Sequence, residues 1–481
     1  MSRLHPSLSA RHLTRSVAVA AIVLLVSGGP ATGAPRRAAT NDPVFTQGLQ
    51  WGLERIGAPT AWQVGRGAGT TIAIVDSGID LAHEDLAHKI VGQISCVGAA
   101  GDPGKCKGSA QDDNGHGTHV AGIAGAETGN GRGMAGVAPD AKLLAVRVLT
   151  NECTASGCTA SGTAADVAAG IRWATDHGAD VINLSLGGSD LGAALGCAFC
   201  DAIDYAWSKG VVSVIAAGND SLLPAGFGDE PAIVVSATTR EDTRATYSNS
   251  ASGILRNARW PLAAPGGEAE SIPADCATGG TPKGVLSSYW ISGHHDEYAC
   301  LAGTSMAAPH VSGAIALLLA HGLRPQAAVE RLISTARDLG TPGRDTAFGL
   351  GLIDVAAAMG PPPTGSSTTA APTTTAGTPR TTTGAAGTTA TTTVIVGDGF
   401  PDLGPSSTTP GTGTRIDSAS PSTQPVSATE DPAGWLVAVA VVLVLISATA
   451  TAGTAWQLAH KPPPPTPPPA HAARRRQLRK G

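Results

Sequence analysis

Residues 72–78 read Ile72-Ala73-Ile74-Val75-Asp76-Ser77-Gly78: four apolar residues in a row, then a carboxylate, a hydroxyl and a glycine. The apolar run is too short for a helix and has no polar face, so it suits a strand buried on both sides. The same texture returns at 143–148, 181–186, 211–216 and 233–237. Stretches of helical length accompany these runs at 163–176, 194–209 and 305–321, with small and apolar residues on the faces that would pack. This alternation predicts an α/β domain, a parallel β-sheet with helices on both faces. In such sheets ligands bind beyond the carboxyl ends of the strands, so functional residues are expected just after the apolar runs.

Three turns carry candidates. Asp76 follows the first run directly, and a carboxylate at a buried strand end needs a partner against desolvation. Gly115-His116-Gly117-Thr118-His119 sets a histidine between glycines at a helix start. There a substrate backbone can approach closely, while His119, one turn on, reads as structural. Gly303-Thr304-Ser305-Met306-Ala307-Ala308-Pro309-His310 opens an apolar helix, with Pro309 expected in its first turn. Ser305 is then either a nucleophile at a helix N-terminus or merely an N-cap. Taken together, Asp76, His116 and Ser305 form a nucleophile, base and orienting group in the chain order Asp, His, Ser.

With these motifs the chain resembles the subtilisin-like serine proteases over roughly residues 41–358. Supporting matches are Ser185-Leu186-Gly187-Gly188, Ala216-Ala217-Gly218-Asn219, Ala263-Ala264-Pro265-Gly266 and Phe348-Gly349-Leu350-Gly351. The opening NDPVFTQGLQWGLERIGAPTAW, from residue 41, is similar to the thermitase branch. The resemblance implies that Ser305 is the nucleophile, His116 the general base and Asp76 its orienting carboxylate. It implies that Asn219 donates to the oxyanion, and that the backbone of Ser185, Leu186, Gly187 and Gly188 pairs with an extended peptide substrate. Ala216, Ala217 and Gly218 would form another wall of the P1 pocket, whose floor falls in 221–228. It also implies a structural calcium ion (Ca2+) held by Asp42, Asp85, the Asn130 side chain and the backbone carbonyls of Glu127, Arg132 and Met134. His294-His295-Asp296-Glu297 reads as a solvated loop rather than a second metal site. Residues 253–302 are an insertion read as a lid or an exosite.

Outside this domain the chain changes character. Charged residues make up only 14% of its 481 residues, and 62 are Gly and 34 Pro, which points to unlike segments averaged together. Arg3, Arg11 and Arg15, an apolar run over 17–26 and small residues up to Ala34 read as a secretory signal peptide, residues 1–34, cleaved after Ala31 or Ala34. The peptidase domain is assigned to 35–360. Residues 361–430 are dominated by Thr, Pro, Gly and Ser and are expected to be a disordered stalk. Residues 435–456 are uncharged, bounded by Trp435 and Trp456, and long enough for a C-terminal transmembrane helix. The basic tail at 457–481 then belongs in the cytoplasm and the catalytic domain outside the cell. This single-pass plan resembles the mycosins of actinobacterial type VII secretion, which implies secretion-complex partners. A formal net charge of -5 argues against a generally basic nucleic-acid binder. All eight cysteines lie between 96 and 300, an even number in an exported chain, and nearest-neighbour disulfides are expected. The residues thus predict a membrane-tethered serine endopeptidase; the alternatives are a surface scaffold with dispensable activity and an esterase using the same triad.

Overall fold

A computed structural model describes residues 40–154, 157–186, 199–220, 227–250, 257–268, 282–360 and 393–400. Contacts divide the chain at Ser406, and the unit beyond it lies outside the described residues. So do the expected signal peptide, transmembrane segment and basic tail. Among the described residues no helix is long and apolar enough to cross a membrane.

The apolar run that opens the sequence argument is β1 (Thr71–Asp76), joined by β2 (Ile90–Ser95) and β3 (Lys142–Arg147). A hairpin follows, β4 (Thr150–Thr154) and β5 (Gly157–Thr163), and then β6 (Val181–Leu184), β7 (Val212–Ala216), β8 (Ala232–Thr238) and β9 (Trp260–Pro265). Seven of these form one sheet in the order β2-β3-β1-β6-β7-β8-β9, and each neighbouring pair is parallel. Strand order reverses at β1: the chain places β2 at one edge and returns with β3 beside β1, then crosses to β6 and builds outward on the other side. A crevice therefore opens above the carboxyl end of β1, where Asp76 stands.

The alternation of side chains along β1 supplies both cores. Ile72 and Ile74 pack with α1 (His116–Gly125) and α4 (Thr304–Ala320) on one face. Ala73 and Val75 pack with α2 (Ala164–Asp176) and α3 (Cys200–Ser208) on the other. A further helix, α5 (Pro325–Thr335), adds Ala328, Val329 and Leu332 to the first core. The helical stretch expected from 194 begins at Cys200 within the described residues.

Two expectations need correction. Pro309 is not in the first turn of α4, which begins at Thr304. Having no N–H, Pro309 leaves the carbonyl four residues back without its helical donor. That carbonyl belongs to Ser305, and the Ser185 hydroxyl donates to it at 2.7 Å. The proline thus frees an acceptor that ties the β6 exit to the nucleophile turn. The insertion, where described, contains β9 and an antiparallel hairpin, β10 (Val285–Ile291) and β11 (His294–Leu301). This hairpin backs α1. Ser287 and Ser288 hydroxyls donate to the carbonyls of His119 and Thr118 at 2.7 and 2.9 Å. His294-His295-Asp296-Glu297 accordingly belongs to a strand, and His295 Nδ1 lies 3.0 Å from an Asp80 carboxylate oxygen.

A further difference lies in the expected stalk. Within it, β12 (Thr393–Phe400) pairs antiparallel with β5, giving a small sheet of order β12-β5-β4. Its sequence explains why a strand forms there, since Val394-Ile395-Val396 is the one run of apolar β-branched residues in a segment of Thr, Pro and Gly. Cys96–Cys106 and Cys153–Cys158 are bridged as expected. Cys200 and Cys300 are also disulfide-bonded, and among the described residues no cysteine is free.

Candidate active site

Asp76 ends β1, fully buried. Its Oδ1 accepts from the Ser77 backbone N–H at 2.7 Å and faces Nδ1 of His116 at 2.8 Å. Its Oδ2 has no hydrogen-bond partner among the described residues. His116 is the first residue of α1 and only 2% exposed, so its ring is held by packing as well as by Asp76. Gly115, just before it, has φ +102°, and a Cβ there would lie 2.6 Å from the Tyr289 ring; only glycine turns the chain at this point. Gly117, just after it, lies so close to Gly78 that a Cβ would come within 2.1 Å of the Gly78 carbonyl. The glycines around His116 therefore let two turns interlock, and that close approach is what sets His116 on Asp76.

The residue that organises this turn was not singled out from sequence. Asp112 is buried, and its Oδ1 accepts from the Ser77 hydroxyl and the N–H groups of Asn114 and Gly115 at 2.9–3.1 Å. Its Oδ2 accepts from the N–H and hydroxyl of Thr118 at 3.0 and 2.6 Å. An ionised carboxylate is acceptor-only and can take several donors; here five converge on it and fix the entrance to α1. The run Asp112-Asp113-Asn114-Gly115 was a readable turn signal, since Asp bonds backbone N–H groups two or three residues ahead.

Ser305 is the second residue of α4 and 6% exposed. Its hydroxyl donates to the Ser185 carbonyl at 3.3 Å. Ser185 in turn receives the Asn183 amide at 2.9 Å, and Asn183 Oδ1 receives the Ser312 hydroxyl at 2.8 Å. This buried relay registers the carboxyl end of β6 against α4. The helices α4 and α1 cross tightly at Gly313, where a Cβ would meet the Ala124 carbonyl at 2.9 Å.

Asn219 follows β7. Its Oδ1 accepts from both the backbone N–H and the hydroxyl of Thr304, each at 2.9 Å. Two donors on that oxygen fix which way the amide faces and leave the NH2 group pointing away from Thr304. Gly218 N–H donates to the same Thr304 hydroxyl at 3.0 Å, and Ala216, Ala217 and Gly218 are buried behind it. Ser185 and Leu186 are buried at the β6 exit, whereas Gly187, Gly188 and 221–226 lie outside the described residues.

His119 takes the structural role expected of it. Its Nε2 lies 3.1 Å from the carbonyls of both Val285 and Ala299, tying α1 to the hairpin. Burial lowers its pKa to about 3, and burial likewise lowers that of His310 to about 4. His310 Nδ1 faces the Met306 carbonyl at 2.8 Å.

The expected calcium residues also gather. Asp42 Oδ1 accepts from the N–H groups of Gly129 and Asn130 at 2.9 and 3.2 Å, and the Thr40 hydroxyl bonds its Oδ2. Asp85 Oδ1 accepts from the Asn130 amide at 2.9 Å, while its Oδ2 accepts from Met134 N–H at 2.9 Å and the Tyr298 hydroxyl at 2.8 Å. Asn130 therefore joins the two carboxylates, and Glu127 and Arg132 lie on the same loop. Both acids are fully buried and their donors are neutral, and burial raises the Asp85 pKa. Buried negative charge met only by dipoles fits a hard cation in residue type. The Asn130 amide presents its NH2 rather than its oxygen to Asp85, and among the described residues no group of three or more His, Cys, Asp or Glu is arranged to hold a metal.

Comparison with known proteins agrees with this geometry. The subtilase family profile matches residues 67–351. The chain is 41% identical to thermitase of Thermoactinomyces vulgaris over 286 residues, covering 59% of this chain and 86% of that protein. It is 37% identical to subtilisin Savinase of Lederbergia lenta, covering 56% and 84%. Among solved structures, a protease from Pseudoalteromonas arctica aligns at a TM-score of 0.53 and 32% identity, over 66% of this chain and 98% of that one. A histidine seated on a buried aspartate at the end of β1, a serine opening the apolar helix beside it, and these relatives lead to one conclusion: the chain belongs to the subtilase family and is a serine endopeptidase.

Proposed function

We propose that peptide bonds are cleaved through an acyl-enzyme on Ser305. The Ser305 hydroxyl attacks the scissile carbonyl and its proton passes to His116 Nε2. Nδ1–H of the same ring stays on Asp76, which stabilises the imidazolium that forms. Negative charge collects on the former carbonyl oxygen, where the Asn219 NH2 group and the Ser305 backbone N–H donate to it. His116 then gives its proton to the departing amine, and water repeats the sequence to release the acyl group. The observation that carries this reading is the 2.8 Å contact of His116 with Asp76 at the sheet's reversal point. Backbone at Ser185–Gly188 would receive the substrate as an added strand.

Asp42, Asp85, Asn130 and the carbonyls of Glu127, Arg132 and Met134 would hold a calcium ion. It would neutralise buried charge and rigidify the loop, with no part in bond cleavage. The enzyme's place is the outer face of the cell membrane, held by 435–456, with a secretion complex as its setting. The disulfides at Cys96–Cys106 and Cys153–Cys158 are consistent with an oxidising compartment.

The test is labelling of the full chain with a fluorophosphonate probe. Wild type is expected to label and Ser305→Ala to lose labelling, with casein hydrolysis falling about 10⁶-fold. A folded wild-type protein that does not label leaves the surface scaffold as the reading. Labelling with ester but not casein hydrolysis leaves the esterase.

A further inference from the structure

The β4–β5 hairpin rises from the end of β3, beside the catalytic end of β1. The Asp76 carbonyl accepts from Val148 and Leu149 N–H at 2.8 and 3.3 Å, and the Asn114 amide donates to the Asn151 side chain at 3.0 Å. In the sheet β1 lies between β3 and β6. The segment that leaves β3 and the segment that leaves β6 are therefore the two walls of the crevice above Asp76 and His116. The chain runs from β3 through β4, β5 and α2 to β6, which makes β5 the hairpin strand on the way to the β6 wall.

One edge of β5 is paired to β4, and the other carries β12. Thr393 stands opposite Thr163, Val394 opposite Gly162, Ile395 opposite Ser161 and Val396 opposite Ala160. Adding an extended segment to a sheet edge is a general mode of peptide binding, with affinity from main-chain hydrogen bonds. The edge is also stiffened in advance: the Cys153–Cys158 disulfide joins residues directly opposite each other in β4 and β5. Preorganisation of this kind reduces the ordering cost of binding.

We infer that residues 393–400 are a resident inhibitory strand, occupying an edge of the crevice that an extended substrate would otherwise take. Residues 361–392 separate this strand from the end of the catalytic domain. A chain of that length can span at most about 110 Å, so return to β5 is sterically allowed. A tethered segment acts at an effective concentration on the order of millimolar, enough to compete with a short peptide. The competition is intramolecular, so it raises the apparent KM and leaves kcat alone. This inference rests on the protease reading.

The experiment compares the full chain with its Ile395→Pro/Val396→Pro variant. Adjacent prolines remove one N–H directed to each side of the strand, so the β5 ladder is broken whichever edge it uses. The substrate is a tetrapeptide p-nitroanilide, and fluorophosphonate labelling is measured in parallel. The expected result is a KM lowered about threefold or more, kcat unchanged, and an equal labelling rate, because the small probe does not need the strand edge. Equal labelling with an unchanged KM overturns the inhibitory strand and leaves the protease reading standing. Failure of wild type to label overturns the protease reading itself. Cleavage within 393–400 in the wild-type protein, seen by intact mass, also overturns the inference, because a strand that is cut is a substrate and no resident.

Discussion

Asp76 and Asp85 stand nine positions apart, both fully buried, and are served in opposite ways. Asp76 meets an ionisable ring, His116, and keeps one oxygen without a hydrogen-bond partner among the described residues. Asp85 meets only neutral donors, an amide, a backbone N–H and the Tyr298 hydroxyl, with bonds to both of its oxygens. The first arrangement suits a charge that must appear and vanish on a neighbour. The second suits a charge that stays put, since its hydrogen bonds oppose the rise in pKa that burial causes. The β10–β11 hairpin supports both regions, bonding α1 through Ser287, Ser288 and the His119 ring and reaching Asp85 through Tyr298.

The sharpest way to break the comparison is Asp76→Asn. The amide keeps the shape but cannot stabilise an imidazolium, so kcat is expected to fall about 10⁴-fold. Steady-state hydrolysis of a peptide anilide measures it; a loss below tenfold would mean that Asp76 is no more than a structural acid like Asp85.

Acid stability probes the supporting region next. Unfolded histidines protonate near pH 6.5, whereas His119 and His310 in the folded chain resist protonation down to about 3 and about 4. Below pH 6.5 the unfolded state therefore binds more protons. The stability these residues confer is full above that pH and is lost as pH falls toward their folded values. Between pH 7 and 5 the loss should be on the order of 2 kcal/mol per histidine, read by urea unfolding of the Ser305→Ala protein. His310→Gln should flatten the slope by about one proton; an unchanged slope would refute the assignment.

The mildest change is Asp85→Asn. It leaves kcat unchanged and lowers stability by about 1–3 kcal/mol, because donors now face an amide. With calcium bound at this loop, a chelator should lower the wild-type melting temperature and have less effect on the variant. A wild-type melting curve indifferent to chelator would end the calcium reading and leave the neutral donors as the whole account of Asp85.

The candidate constellation could be proposed from sequence because glycines and strand ends constrain chemistry locally. Asp76, His116 and Ser305 each sit in a turn whose composition announces it, and the apolar runs predicted a parallel sheet before its order was visible. Asp112 escaped although its turn was readable, because one of its donors, the Ser77 hydroxyl, comes from a turn that only the fold brings to it. The β10–β11 hairpin was not predicted, although Ser292-Gly293 is a turn signal between its strands, because its strand character shows only when it packs on α1. Pro309 was misplaced by a few residues, which hid the carbonyl that Ser185 uses.

By itself the sequence determined the main apolar strands, the helices that cover them and the candidate reacting groups, since hydrophobic period and turn residues act within a few positions of the chain. The tertiary structure alone decided which buried acid faces an ionisable partner, which hairpin becomes a buttress and which offers an edge, and where residues 393–400 come to rest. Those outcomes depend on contacts between residues tens to hundreds of positions apart, such as Tyr298 with Asp85 and Val396 with Ala160. Local pattern carries no information about such distant partners, and packing does.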